Sequence, residues 1–355
     1  MQEKSKFFLS LVFTIIIVFV AGSVILYIID KNIPKYLEEN TSKRVDFIET
    51  QKKSGQSITG SISKSLSNKI WLIVDKKNTK TNNLYDSVYF ADDFIGTAIV
   101  VTNDGWFVSR KIQNTSNIAL VNIENKVIDI ETVVNDDVLG LSYIKIKQNG
   151  LNPMGIIDSS SVEVGQNVYV IRPNLYNYQN EIIPNSIRNI HSRFIKNKTD
   201  LIHDSSDIVV YSMLASHTEQ GLPVVNENAE MVGITYSFNE NTYLLPSNYI
   251  RYSLTRLFNN DKNIDYSSLG ISYIDLNEVV TELDVLKRGA YVYESTNPLI
   301  RKADIIQKVN EDDLNEIRSL NRVLLDYTSG TEVKLIILRD GKQEEIKVKL
   351  QTLKK

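Results

Sequence analysis

Gly96-Thr97-Ala98-Ile99-Val100-Val101-Thr102-Asn103-Asp104-Gly105-Trp106-Phe107-Val108 reads as two short strands joined by a tight turn. Ile99-Val100-Val101 and Trp106-Phe107-Val108 are β-branched and aromatic, the side chains that suit a pleated, half-buried surface. Asn103-Asp104-Gly105 between them is a hairpin signal, because these residues accept the left-handed backbone of a tight turn. The same texture extends to both sides. Ile70-Trp71-Leu72-Ile73-Val74 precedes the hairpin. Val168-Tyr169-Val170-Ile171, Ile208-Val209-Val210-Tyr211 and Met231-Val232-Gly233-Ile234 follow it. Closely spaced short strands with few helical stretches predict an all-β barrel or sandwich. Asn248 to Leu257 has helical spacing and is expected to close this unit.

The chain has 355 residues, with 42% hydrophobic side chains, enough for more than one core. A formal net charge of -3 gives no argument for nucleic acid or any strongly charged partner. There are no cysteines, which excludes disulfides, a Cys nucleophile and thiolate metal sites. The three histidines, His191, His203 and His217, lack the spacing of a zinc motif, so no metal is expected. Phosphate-loop and dinucleotide signatures are absent, and no cofactor is implied. Lys76-Lys77 and Lys196-Asn197-Lys198 read as solvated loops.

Phe7 to Ile29 is an uncharged apolar run bounded by Lys6 and Asp30. At about 1.5 Å per residue it spans a hydrocarbon core of roughly 30 Å. A cleaved signal peptide is the rival reading. Its apolar region is shorter and ends at a small-residue site, which Tyr27-Ile28-Ile29-Asp30 does not offer. Residues 1–30 are therefore expected to be a cytoplasmic tail and transmembrane anchor, with membrane contact through residues 7–29. Lys4 and Lys6 precede the run, and Lys31, Lys35, Lys43 and Arg44 follow it, so positive charge does not settle the orientation. The bulk of the chain lies after the run and is expected to be exported from a bacterial-type cell membrane. Residues 31–60 read as a juxtamembrane stalk, 61–258 as the β unit, and 259–266 as a polar linker. Residues 267–355 read as a smaller α+β unit. Its one clear predicted helix runs from about Leu314 to Tyr327, with Ile317, Leu320, Val323 and Leu324 on one face.

The middle unit resembles the HtrA (Deg) family of trypsin-like serine proteases. The family's G-S-G-x-I-I-x-x-D-G-Y-I-x-T-N-x-H-V is similar to Gly96 through Ile112, with Ile112 where the general-base His stands. Its D-P-x-x-D-L-A-V-L-K-I is similar to Asp136 through Ile146, with Gly140 at the orienting Asp. Its G-N-S-G-G-P-L-V-N is similar to Thr218 through Asn226. Here Gln220 stands at the nucleophilic Ser, and Thr218 at a glycine of the oxyanion hole. Ile157-Asp158-Ser159 through Gly165, and Leu245-Pro246-Ser247-Asn248, resemble two connecting stretches. The last unit resembles a PDZ domain in Leu269-Gly270-Ile271, Gly289-Ala290-Tyr291-Val292, Ala303 through Asn310, and Val333 through Gly341. Ala303 and Glu311 stand where that pattern has glycine. The resemblance implies a mainly β chain. It would be a trypsin-like double β-barrel followed by a small α+β PDZ domain, with an N-terminal transmembrane helix.

Acyl transfer in this family needs a hydroxyl to attack, an imidazole to take its proton and a carboxylate to hold that imidazole. Ile112 cannot accept a proton, Gly140 has no side chain, and the Gln220 amide is a poor attacker. Loss of triad members costs factors on the order of 10⁴–10⁶ in turnover. No catalytic residue is therefore assigned. The alternative is an active HtrA-type endopeptidase of envelope quality control using an unrecognised site. One such site is Ser216 and His217 with Asp136 or Asp137. The plainer reading makes these polar loop residues, with Asp136-Asp137 a solvated turn and His191 and His203 on the surface. A PDZ groove takes a peptide C-terminus by strand addition. By resemblance Leu269, Gly270 and Ile271 form its carboxylate end, and Leu320 and Leu324 line it or else pack the small core. The partners implied are protein or peptide C-termini, together with copies of the chain or active relatives, since family members commonly form trimers.

Overall fold

A computed structural model describes residues 58–66, 68–77, 87–173, 180–192, 201–204, 208–214, 219–238, 241–259, 264–277, 279, 288–315 and 318–353. The apolar run Phe7–Ile29 lies outside them. Among the described residues no helix is long and apolar enough to cross a membrane. A helix over residues 58–65 (α1) leads into the strands.

Six strands close the first barrel: β1 (Ile70–Asp75), β2 (Phe94–Val100), β3 (Trp106–Arg110), β4 (Ile118–Val121), β5 (Val127–Asp136) and β6 (Leu141–Ile146). They pair in the order β1-β2-β3-β6-β5-β4. The apolar runs of the sequence supply its interior. Trp71, Ile73, Val100, Phe107, Leu120 and Ile144 form one buried cluster, with the Trp71 and Phe107 rings 4.9 Å apart.

The second barrel is built from β7 (Asn167–Arg172), β8 (Glu181–Ser192), β10 (Val210–Met213), β11 (Pro223–Val225), β12 (Met231–Phe238) and β13 (Asn241–Pro246). Its order is β10-β13-β12-β11-β7-β8. Helix α2 (Ser247–Asn259) closes it, burying Tyr249, Ile250, Leu254 and Leu257. The start of α2 is tied to the 3-10 turn at Ser159–Ser161. Asn248 Nδ2 donates to Asp158 at 2.8 Å, Ser159 N–H donates to Asn248 Oδ1 at 3.1 Å, and Asn248 N–H donates to Ser159 Oγ at 3.1 Å. The Ser160 hydroxyl, followed by Asn248, holds the Asp158 carboxyl down at about 2. Two stretches that looked like unrelated connectors are thus one hydrogen-bonded clasp.

The last unit carries a sheet in the order β20-β19-β17-β16-β15-β9. Its strands are β9 (Ile202–His203), β15 (Ile271–Asp275), β16 (Ala290–Ser295), β17 (Ile305–Val309), β19 (Glu332–Arg339) and β20 (Lys342–Lys349). β18 (Asp312–Asp313) pairs with β17, and β14 (Ser267–Ser268) with β21 (Gln351–Thr352). Its helix α3 is only Leu320–Leu324, much shorter than the predicted span. Upstream, the backbone is already committed. Asp312 and Asp313 pair with Val309 and Lys308, and Leu314 N–H donates to the Gln307 carbonyl. The apolar spacing at Leu314 therefore reflects a core-facing hairpin end, not a helix turn.

Contacts from α2 and from the linker seat this unit on the barrels, while Ser267 Oγ donates to the Leu324 carbonyl at 2.8 Å within the unit. Arg256 of α2 donates from Nη2 to the carbonyls of Leu325 at 2.7 Å and Tyr327 at 3.3 Å. The Tyr266 hydroxyl donates to Asp136 Oδ2 at 2.5 Å.

Candidate functional site

The end of β3, the turn before β6 and the loop before β11 meet around Arg110 where the two barrels adjoin. Lys111 N–H donates to the Gly140 carbonyl at 2.9 Å, and Ile112 N–H to Ser142 Oγ at 3.0 Å. The Ile112 side chain packs, partly buried, on the core of the first barrel. Gln220 and Gly221 face this corner from the other barrel, where Gly221 N–H is held by the Thr235 carbonyl at 2.9 Å.

Arg110 fills the space between them. Its Nη1 donates to the Leu139 carbonyl and its Nη2 to Gln220 Oε1, both at 3.4 Å. Its guanidinium carbon lies 4.5 Å from the centre of the Tyr236 ring, a cation–π distance. The fit depends on two glycines at positive φ, Gly140 at 62° and Gly221 at 80°. A Cβ at Gly140 would stand 3.1 Å from Arg110 Nη1, and one at Gly221 only 2.7 Å from Arg110 Cγ. Burial lowers the Arg110 pKa from its ordinary value, and Tyr236 opposes that shift. Among the described residues this corner holds an alkyl chain, a glycine, an amide and a guanidinium. None of these accepts a proton from a nucleophile, since Arg carries donors only.

Asp136 is not in a solvated turn. It is 1% exposed, and both oxygens are occupied. Oδ1 accepts from the N–H groups of Val138 at 3.1 Å and Leu139 at 3.0 Å. Oδ2 accepts from Ser253 Oγ and the Tyr266 hydroxyl, each at 2.5 Å. The Asp-Asp turn faces α2 and the linker, and burial of those elements takes the carboxylate with them. Burial, with the Asp136 charge beside it, pushes the Tyr266 phenol well above its ordinary range. Asp137 pairs with Lys111 at 2.6 Å. Ser216, His217 and Thr218 lie outside the described residues, as does the His191 side chain.

His203 is also buried rather than at the surface. It sits opposite Tyr273 in the β9–β15 pair, their rings stacked 5.0 Å apart. Nearby, Leu269, Ile271, Leu320 and Leu324 all belong to the one core cluster of the last unit. Gly270, at φ 70°, turns the chain into β15, and its N–H is taken by Ser268 Oγ at 2.9 Å. An open cavity beside Gly270 is lined by Ser272, Arg301, Lys302 and Asp204.

With two closed barrels, a closing helix and this last unit in place, the likenesses to known proteins fall into order. The PDZ domain family matches residues 267–350. Serine protease Do-like HtrA of Lactobacillus helveticus is 22% identical over 280 residues, 72% of this chain and 66% of that protein. The probable periplasmic serine endoprotease DegP-like of Rickettsia conorii is 23% identical over 276 residues, 72% of this chain and 53% of that protein. The chain carries a PDZ domain and is similar to HtrA/Deg-type proteases. Among solved structures, the HtrA-type protease AlgW with tripeptide covers 83% of this chain and 97% of its own, with TM-score 0.61 and 12% identity. The serine endoprotease from Yersinia pestis covers 83% and 98%, with TM-score 0.51 and 15% identity. These structural likenesses establish the fold. The chain spans between about half and two thirds of the length of the two curated relatives, at 53% and 66%.

In HtrA terms, two of the triad positions named from sequence, Gly140 and Gln220, stand on either side of Arg110, while the Ile112 side chain packs on the core of the first barrel. Arg110 itself was not singled out. It stands where the family motif T-N-x-H has Asn, and that replacement was the available signal. Asn321 was likewise missed; it lies on α3 between the two named leucines, and its amide faces β9.

Proposed function

We propose that this HtrA-like chain is a pseudoprotease. In this reading a membrane-anchored, exported protein binds peptides, C-termini or unfolded segments through its PDZ and protease-like units, or regulates active relatives in an oligomer. The observation that carries it is Arg110. Its side chain lies against Gly140, Gly221 and Gln220, two of the three family triad positions among them, and its fit requires both glycines. The solved structure of the HtrA-type protease AlgW with tripeptide supports a peptide ligand for a chain of this fold.

The purified chain is expected to leave unfolded casein intact, as is its Gln220→Ala variant. Cleavage by the first and not the second would overturn the reading in favour of an active endopeptidase. The triple variant Ile112→His, Gly140→Asp, Gln220→Ser is also expected to be inactive. A carboxylate at 140 would meet Arg110 and pair with it rather than with an imidazole. Cleavage by the triple variant would show that Arg110 does not obstruct the site.

The anchor is tested separately. With a C-terminal epitope tag, protease added to intact wall-free cells is expected to remove the tag while the N-terminus stays protected. A protected tag would place the bulk of the chain inside.

A further inference from the structure

The PDZ sheet already has a strand at the edge where a peptide would add. β15 pairs with β16 on one side and with β9, Ile202–His203, on the other. β9 comes from the connection between β8 and β10 of the second barrel, far away in sequence. The pairing is antiparallel, with Ile202 opposite Ile274 and His203 opposite Tyr273. The segment therefore runs toward the Leu269-Gly270-Ile271 end, the direction in which a bound C-terminus runs. The other wall of the groove holds it too. Asn321 of α3 donates from Nδ2 to the Asp204 carbonyl at 2.8 Å. His203 is buried against Tyr273 on the face that α3 covers, and Asp204 reaches the cavity beside Gly270.

We infer that Ile202-His203-Asp204 is a built-in ligand of the PDZ groove. An outside peptide binds only by displacing it, and is selected for a planar ring, His or aromatic, opposite Tyr273. The inference rests on the peptide-binding reading above and adds to it both the gate and the specificity. Two features make the groove selective at one position. Main-chain pairing along β15 tolerates any sequence. The Tyr273 ring instead favours a flat partner, because stacked rings attract one another beyond what their buried area gives.

The absence of cysteine allows a direct test on the full chain in detergent. Opposite residues of an antiparallel pair lie about 4.5–5.5 Å apart at Cα, within disulfide range. In the Ile202→Cys, Ile274→Cys variant, oxidation is expected to give an intramolecular disulfide while leaving the His203–Tyr273 stack in place. The probe is a fluorescent synthetic peptide of residues 198–204 with a free C-terminus. The oxidised variant is expected to exclude it and the reduced variant to bind it. His203→Pro, which removes a strand N–H and the ring, is expected to raise affinity at least about tenfold over wild type. A probe with Ala in place of its His is expected to bind that variant more weakly, and one with Phe to bind well.

Failure to form the disulfide would overturn the self-ligand while leaving peptide binding intact. So would equal probe binding by oxidised and reduced forms. A disulfide that forms, with no probe bound by the reduced variant or by His203→Pro, would overturn the peptide-binding reading and the gate with it. Equal binding of the Ala and His probes would overturn the ring selectivity.

Discussion

Asp136→Ala is expected to lower the stability of the chain by about 4 kcal/mol, read as a fall in the urea midpoint of the barrel transition. The argument is a count of orphaned donors. The carboxylate accepts from two backbone amides, of Val138 and Leu139, and from two hydroxyls, of Ser253 and Tyr266. A buried donor left without an acceptor costs about 1–3 kcal/mol. Water entering the gap recovers part of that, so the total falls below the sum of four such penalties. Tyr266→Phe removes one of the four bonds and leaves the acceptor otherwise satisfied; about 1 kcal/mol is expected. The comparison is the informative part. If Asp136→Ala costs no more than Tyr266→Phe, the carboxylate is not the organising centre of this junction. Because Tyr266 begins the run into the PDZ unit, Asp136→Ala is also expected to loosen the seating of that unit. Earlier tryptic cleavage between 259 and 267 would report it.

The second large effect is expected at Asp304. Its carboxylate is clasped by Arg339, from Nε at 2.8 Å and Nη2 at 2.7 Å, and also accepts from Arg301 N–H at 2.7 Å. The two side chains are 2% and 12% exposed, so this is a buried bidentate pair. Removing one partner of such a pair costs about 3–5 kcal/mol, because the other charge stays buried without compensation. Asp304→Ala should lie at the lower end of that range. Arg339 keeps a bond to the Leu299 carbonyl and a more exposed pair with Glu344. Adding Arg339→Met to Asp304→Ala is expected to recover part of the loss, since the double variant buries no unpaired charge. A double variant that is less stable than the single would show that the guanidinium works chiefly through its packing and through those other bonds.

The strands of both barrels were legible because their signals are local, while their closure into two barrels rested on the family resemblance. Short apolar runs bounded by turn residues, with Asn103-Asp104-Gly105 as the clearest turn, carry their own periodicity. The positions Ile112, Gly140 and Gln220 were legible because motif order survives where residue identity does not. What escaped depends on partners far away in sequence. His203 lies among polar residues and reads as a surface histidine until β15 is placed beside it. Asp136 reads as half of a solvated turn until Ser253 and Tyr266 arrive. Arg110 has no motif of its own; its meaning comes from two glycines, one about thirty and one about a hundred residues away, that leave room for it. The helix at Leu320 was overextended for the same reason, since nothing local says that Asp312 and Asp313 are taken by β17.

Ile112 has a consequence for the history that such a chain can retrace. Its side chain now rests on the hydrophobic interior of the first barrel, so replacing it with imidazole would expose a gap and place a polar ring against hydrocarbon. A side chain at 140 would collide with the guanidinium, and any change at Gly221 is blocked by the same residue. Each isolated step toward the family's triad residues therefore disturbs packing on its own. On the reading proposed here the loss behaves as a ratchet: neighbouring side chains have settled into the vacated positions, and reversal demands several simultaneous replacements.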